Sequence, residues 1–330
     1  MSRSSTFRMG ILALLWGSSF VWIKIALQGV SPMQMVLLRL FLGAAVLLVL
    51  VRSRGLALPR DRLVWGRLFL AAAFANVLPF ALFAIGERTV DSAVAGVLNG
   101  TTPLFAVVVA LAVRAEPRLS PRRMAGLALG FAGTLLIFEP WQAGTSIASW
   151  GGLACLAAAA CYGVSFVYMG MKLANQGIPP LALSASQLLA ATALAAVLVP
   201  FVGLQPVHLR PDVVGSIAIL GIFGTGLAYV LNYRLITDEG AAATSTVAYL
   251  LPVVSVLLGA AILGDPITLH VVLGMLLVLA GVALAQRRTR GTAAARAGPA
   301  LARRPDPGQH RQQPVPRDLH RAQVEHRRVG

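Results

Sequence analysis

The residues able to do chemistry in this chain are scattered through apolar sequence, and their types suit recognition rather than catalysis. Arg39 sits about six residues into a long hydrophobic run. A charge there costs at least ~2.5 kcal/mol on membrane-insertion scales and marks a functional candidate by default. It can act as counter-charge to an anionic solute group, or hold the fold by snorkelling or binding helix-end carbonyls. Thr225, Tyr229 and Asn232 follow i, i+4, i+7 spacing, which places them on one helical face. Asn76, Phe80 and Phe83 repeat that face earlier in the chain. Asn99, Thr102, Thr246 and Tyr249 add further polar groups, as do Trp16, Ser18 and Ser19. Such groups inside lipid either line a water-filled cavity or bond to a neighbouring helix, at typically ~0.6 kcal/mol per bond. Pro103 and Pro252 each lack an N–H within an apolar run, and so serve as hinges or as static kinks. The nine acids before residue 287 lie near run ends or in loops, so a paired-carboxylate mechanism has no candidates. No histidine cluster, phosphate-cradling glycine loop or Ser/Cys–His pair stands out. We therefore expect no catalytic residue, no metal and no cofactor.

The elements that must position these residues are membrane helices. The chain is 57% hydrophobic and 12% charged, far from the surface of a soluble domain. Ten apolar runs, each near the ~20 residues that cross a bilayer, fall at 9–28, 33–51, 67–86, 92–112, 122–139, 150–171, 181–203, 212–234, 241–263 and 267–286. Within lipid only a helix satisfies its own backbone groups in a lone segment. The net charge of +16 does not signal nucleic acid. With the N-terminus inside, Arg52, Arg54, Arg60, Arg62 and Arg67 share one cytoplasmic loop, and Arg114, Arg118, Arg122 and Arg123 share the next. Only Arg88 and Arg210 fall outside, which is a positive-inside pattern. An even number of spans then returns the C-terminus to the cytoplasm. Residues 287–330 form an Arg- and Pro-rich tail that cannot bury enough surface to order itself, and its basic start at Arg287-Arg288 suits anionic lipid. Lys24 is expected to snorkel. Cys155 and Cys161, ~9 Å apart along one helix, are packing residues rather than a disulfide.

The chain also repeats itself. Trp16-Gly-Ser-Ser-Phe-Val-Trp22 matches Tyr162-Gly-Val-Ser-Phe-Val-Tyr168 at an offset of 146. Phe74, Leu78, Pro103 and Val107 match Phe223, Leu227, Pro252 and Val256 at 149. Glu116-Pro117 falls on Asp265-Pro266 at the same offset, and Gly126 and Gly133 recur as Gly274 and Gly281 at 148. Arg39 is matched by Gln187, polar but neutral. Five spans per half would set the halves in opposite orientations, an inverted repeat of the kind found in secondary transporters.

These motifs, with Asn99-Gly-Thr-Thr-Pro-Leu-Phe105 and Ala248-Tyr-Leu-Leu-Pro-Val-Val-Ser255, resemble both repeats of the EamA family of the drug/metabolite transporter superfamily. The resemblance covers residues 9–286. It implies ten helices in two inverted five-helix repeats around a central cavity, with the fifth and tenth peripheral. It names no substrate, since similar members move amino acids, metabolites or drugs; the long basic tail departs from the family's usual short C-terminus.

The expectation is an all-α polytopic inner-membrane protein with both termini cytoplasmic. It comprises an N-terminal stretch 1–8, repeats at 9–139 and 150–286, and the tail. It would be a secondary transporter, and an exporter, of small organic solutes. Its substrate-binding residues would come from Trp16, Ser19, Arg39, Asn76, Phe80, Asn99, Thr102, Thr225, Tyr229, Asn232, Thr246 and Tyr249. Its partners would be solute, lipid and, as a homodimer, a second copy; nucleic acid is not expected. The alternative is a membrane receptor or scaffold that binds without flux.

Overall fold

The computed structural model describes residues 2–286, apart from 87–88, 90–91, 116–119, 140, 142–148, 203, 209, 259 and 262–266. The basic tail, the Glu116-Pro117 and Asp265-Pro266 pairs, Arg88, Arg118 and the side chain of Lys24 lie outside the described residues. The described residues form helices joined by turns and irregular connections, with no strand among them, and the helices satisfy their own backbone inside an apolar solvent. Seven helical stretches among them are long and apolar enough to cross a membrane, and Leu269–Ala285 is a shorter apolar helix.

Local sequence sets the helix starts. Ser2, Ser31, Asp61, Ser120 and Ser149 each accept a backbone N–H in the first turn of the helix that follows them. Pro32, Pro121 and Pro211 occupy first helical positions, where a missing N–H costs nothing. The helices in order are α1 (Arg3–Gly17), α2 (Ser19–Ala26), α3 (Pro32–Ser53), α4 (Arg62–Ala72), α5 (Leu78–Gly86), α6 (Ser92–Asn99), α7 (Thr102–Ala112) and α8 (Pro121–Phe138). There follow α9 (Trp150–Lys172), α10 (Pro180–Val202), α11 (Pro211–Gly221), α12 (Ala228–Glu239), α13 (Ala241–Thr244), α14 (Val247–Leu258) and α15 (Leu269–Gln286).

Several expected spans are interrupted. The first breaks at Ser18, between α1 and α2. The third and eighth each contain a short π-helix, Ala73–Val77 and Ile222–Leu227, and these occupy matched positions at offset 149. The fourth breaks at Gly100-Thr101, so Pro103 stands in the first turn of α7 rather than inside a helix. Pro252 does lie inside α14. The ninth also breaks, at Ser245-Thr246 between α13 and α14, so both proline-bearing spans are interrupted shortly before their proline. Pro103 follows a break already made by Gly100-Thr101, whereas Pro252 frees a carbonyl within a continuous helix.

The glycines set the closest helix crossings. α8 and α15 run antiparallel in contact. A Cβ added at Gly126 would lie 2.5 Å from the Ala285 nitrogen, and one at Gly133 would lie 2.6 Å from the Gly274 oxygen. Gly274 meets the Gly133 oxygen in return at 2.9 Å, and Gly281 meets that of Gly126 at 2.7 Å. A matched pair of crossings occurs elsewhere: Gly17 abuts Val254 while its counterpart Gly163 abuts Phe105, the counterpart of Val254. We expect Gly133→Leu to destabilise the protein by at least about 1–3 kcal/mol, because backbone rather than a movable side chain blocks the new atoms. Size-exclusion and thermal-unfolding profiles in detergent would register this as lost folded yield. A wild-type profile would contradict the crossing.

Candidate functional site

Where the third and eighth spans meet α3 and α10, a chain of hydrogen bonds crosses the core. It starts from a proline. Pro79 has no N–H, so it leaves the carbonyl of Ala75, four residues earlier, without its helical donor. The Tyr229 hydroxyl fills that role, donating to the Ala75 oxygen at 2.7 Å. The same hydroxyl accepts from Asn76 Nδ2 at 2.7 Å. Asn76 Oδ1 accepts from Gln187 Nε2 at 3.0 Å, and Gln187 Oε1 accepts from the Tyr233 hydroxyl at 2.5 Å. Each member is buried, and the donor–acceptor order is consistent from end to end. Trp16 packs edge-on against Tyr229, with ring centroids 6.2 Å apart.

Arg39 stands beside this chain. Its side chain does not snorkel: the residue is 5% exposed. Its Nε donates to Thr225 Oγ1 at 3.0 Å, and the guanidinium carbon lies 4.8 Å from the centre of the Phe80 ring, in cation–π range. The two π-helices thus present one polar side chain each toward the other half. Asn76 in the first bonds Gln187, and Thr225 in the second bonds Arg39. Asn76 matches Thr225 and Gln187 matches Arg39 in the internal repeat, so the two contacts are counterparts. π-helical segments are rare and concentrate at functional sites.

The structure brings Trp16, Arg39, Asn76, Phe80, Thr225 and Tyr229 together. Ser19 lies close by, its hydroxyl bonded to the Leu15 carbonyl at 2.8 Å. With Ser18, Trp22, Phe223 and Gly224 it lines a small cleft at the α1–α2 break. Asn232 is buried one turn beyond Tyr229, and its Oδ1 has no hydrogen-bond partner. Other expected residues lie apart from the network. Thr102 donates to Asn99 Oδ1 across the α6–α7 break at 3.4 Å, and Thr246 donates to the Ala243 carbonyl at 2.7 Å. Tyr249 is sealed in an apolar cluster with Leu127, Ile137 and Val278, its ring against Gly130 and its hydroxyl unpartnered.

In this packing the polar face of α12 is not open to water: Tyr229 bonds across the core to the opposite half, Tyr233 bonds Gln187 in its own half, and Asn232 Oδ1 has no partner. Sequence reasoning placed Gln187 only as the counterpart of Arg39, and it passed over Tyr233. The signal for Tyr233 was present, since it follows Tyr229 by four residues. The π-helices carried no comparable signal beyond Gly224 and Gly226 around Thr225. Val230 and Ile236, expected to face lipid, are both buried; Ile236 follows Tyr229 by seven residues and so shares its inward face. α12 is enclosed by protein on more sides than the pattern of a membrane-facing helix implies.

Apolar helices of membrane-spanning length around a buried polar core define a polytopic membrane protein. The EamA-like transporter family matches residues 7–139 and again residues 149–286, and the chain belongs to that family. It is similar to an uncharacterized transporter of Archaeoglobus fulgidus, 25% identical over 85% of this chain and 98% of the relative. It is also similar to the uncharacterized transporter YoaV of Bacillus subtilis, 25% identical over 83% of this chain and 94% of the relative. The uncharacterized inner membrane transporter YedA of Escherichia coli is 26% identical over 78% and 82% of the two chains. A solved crystal structure, 23% identical, superposes with a TM-score of 0.72 over 86% of this chain and 99% of its own, and supports the fold.

Proposed function

We propose that the protein is a secondary transporter that exports small organic solutes across the inner membrane by alternating access. In this reading ten helices form two inverted five-helix repeats, 9–139 and 150–286, and the solute binds where Arg39, Asn76, Thr225 and Tyr229 converge. The observation that carries it is the reciprocity of contacts. Asn76–Gln187 and Thr225–Arg39 are counterparts, as are Gly17–Val254 and Gly163–Phe105. Gly126 meets Gly281 while Gly133 meets Gly274, so each glycine meets the counterpart of the other. Reciprocal contact of this kind is the mark of a two-fold relation. Interrupted helices facing each other across it are where transporters of inverted-repeat design bind solute.

Burial of the network on all sides is what an occluded state requires. The network is made almost wholly between halves, so rocking one half against the other exchanges its bonds for bonds to solute and water. The test is flux. Proteoliposomes holding the purified chain should accumulate a labelled solute against unlabelled solute trapped inside, and reversing the gradient should reverse the movement. Saturable binding without flux would replace the transporter reading with that of a receptor. The topology is tested separately. Reporter fusions at Gln286 and within loop 52–62 should both read as cytoplasmic, and a periplasmic signal at Gln286 would overturn the ten-span arrangement.

A further inference from the structure

We propose that the solute carried by this site is an organic anion with a flat apolar body, its carboxylate-type head held by the free face of Arg39. The proposal rests on the reading of the buried core as a solute site. A guanidinium stays protonated at any working pH, so burial cannot relieve Arg39 by neutralising it. Its neighbours supply a hydroxyl and a ring face, but no counter-charge. Among the described residues no carboxylate pairs with it; Asp238, Asp212 and Glu139 pair instead with Arg8, Arg210 and His270.

The contrast with its counterpart sharpens the point. Gln187 has both ends of its amide engaged by protein, the oxygen by Tyr233 and the nitrogen by Asn76. Arg39 commits only Nε, and its two terminal nitrogens make no hydrogen bond to the described residues. Those nitrogens form the fork that binds a carboxylate through two parallel bonds. The neutral half of the core is thus completed by the protein, whereas the charged half awaits a partner of opposite sign. Phe80 lies against the guanidinium and Tyr162 and Tyr229 lie within electrostatic reach of it, and such flat, mainly apolar groups suit a planar body behind the anionic head.

The test uses the full chain in nanodiscs, with three probes of one shape: phenylacetate, phenylacetamide and phenethylammonium. Binding is read by thermal shift and by quenching of tryptophan emission. Phenylacetate should bind at least tenfold tighter than either of the others. Arg39→Gln should erase that preference, and Arg39→Lys should retain part of it. If Arg39→Gln fails to fold, the preference of the wild-type chain and of Arg39→Lys still decides the matter. Equal binding of amide and anion, preference for the cation, binding of none of the three, or a preference that survives in a folded Arg39→Gln chain would each overturn the assignment. Flux separates this proposal from the one it rests on. Movement of the amide or the cation in place of phenylacetate leaves a transporter with a different substrate class. Phenylacetate binding without flux leaves the anion site and removes the transporter.

Discussion

Gln187→Met should lower the stability of the folded protein by about 2–4 kcal/mol, although methionine has nearly the same length and volume. The change leaves no cavity to speak of, so the loss is one of hydrogen bonds. It strands the Tyr233 hydroxyl and Asn76 Oδ1, both buried, each at ~1–3 kcal/mol. Interhelical bonds in membranes average only ~0.6 kcal/mol, because the unfolded segments find other partners, and this places the estimate below the full sum. Thermal unfolding in detergent should show a drop of several degrees. Adding Tyr233→Phe should recover part of it, since the second change removes one stranded group. Additive losses, or a stability equal to that of wild type, would mean that the Tyr233–Gln187–Asn76 chain does not hold the halves together.

Thr225→Val should have the second large effect, of about 2–3 kcal/mol, because hydrogen bonds to charged groups contribute ~1.5–3 kcal/mol. Valine keeps the shape of threonine and removes the oxygen that accepts from Arg39 Nε. The guanidinium would then rest on the Phe80 ring alone. Thr225→Ser retains the oxygen and should stay within about 0.5–1 kcal/mol of wild type, the small difference reflecting one lost methyl group. Thermal unfolding of the three proteins side by side decides it. Equal stability of the Val and Ser variants would contradict the bond.

Much of the membrane architecture was legible because hydropathy and proline-capped helix starts are local properties. Pro32, Pro121 and Pro211 open α3, α8 and α11 as their position before apolar runs suggests. Repetition within the sequence also located Arg39, Asn76, Thr225 and Tyr229, which the structure assembles into one core. Properties that depend on the neighbouring helix were not legible. Tyr249 has the residue type of a cavity wall yet fills a space above Gly130, left open by the absence of a side chain there. Val230 is apolar and lies about a quarter-turn from Tyr229, where lipid would be expected, yet adjoining helices enclose it. At the second π-helix Gly43 of α3 lies against the Gly221 oxygen and the Gly226 nitrogen, a close approach that no propensity scale encodes.

The account rests on the claim that this core opens alternately to the two sides of the membrane, and thiol accessibility tests it most directly. Single cysteines at positions 229 and 232 would be placed in a chain carrying Cys155→Ala and Cys161→Ala. Position 232 is the milder site, because the Asn232 oxygen has no partner to lose. Membrane vesicles of each orientation are then treated with a small, charged, membrane-impermeant thiol reagent. A cysteine at Leu227, whose side chain is exposed on the protein surface within the span, serves as the lipid-facing control. The account predicts slow labelling at 229 and 232 from both sides, slower still when solute is bound, and silence at 227. Labelling from one side only, or at 227 while 229 and 232 stay silent, would contradict it.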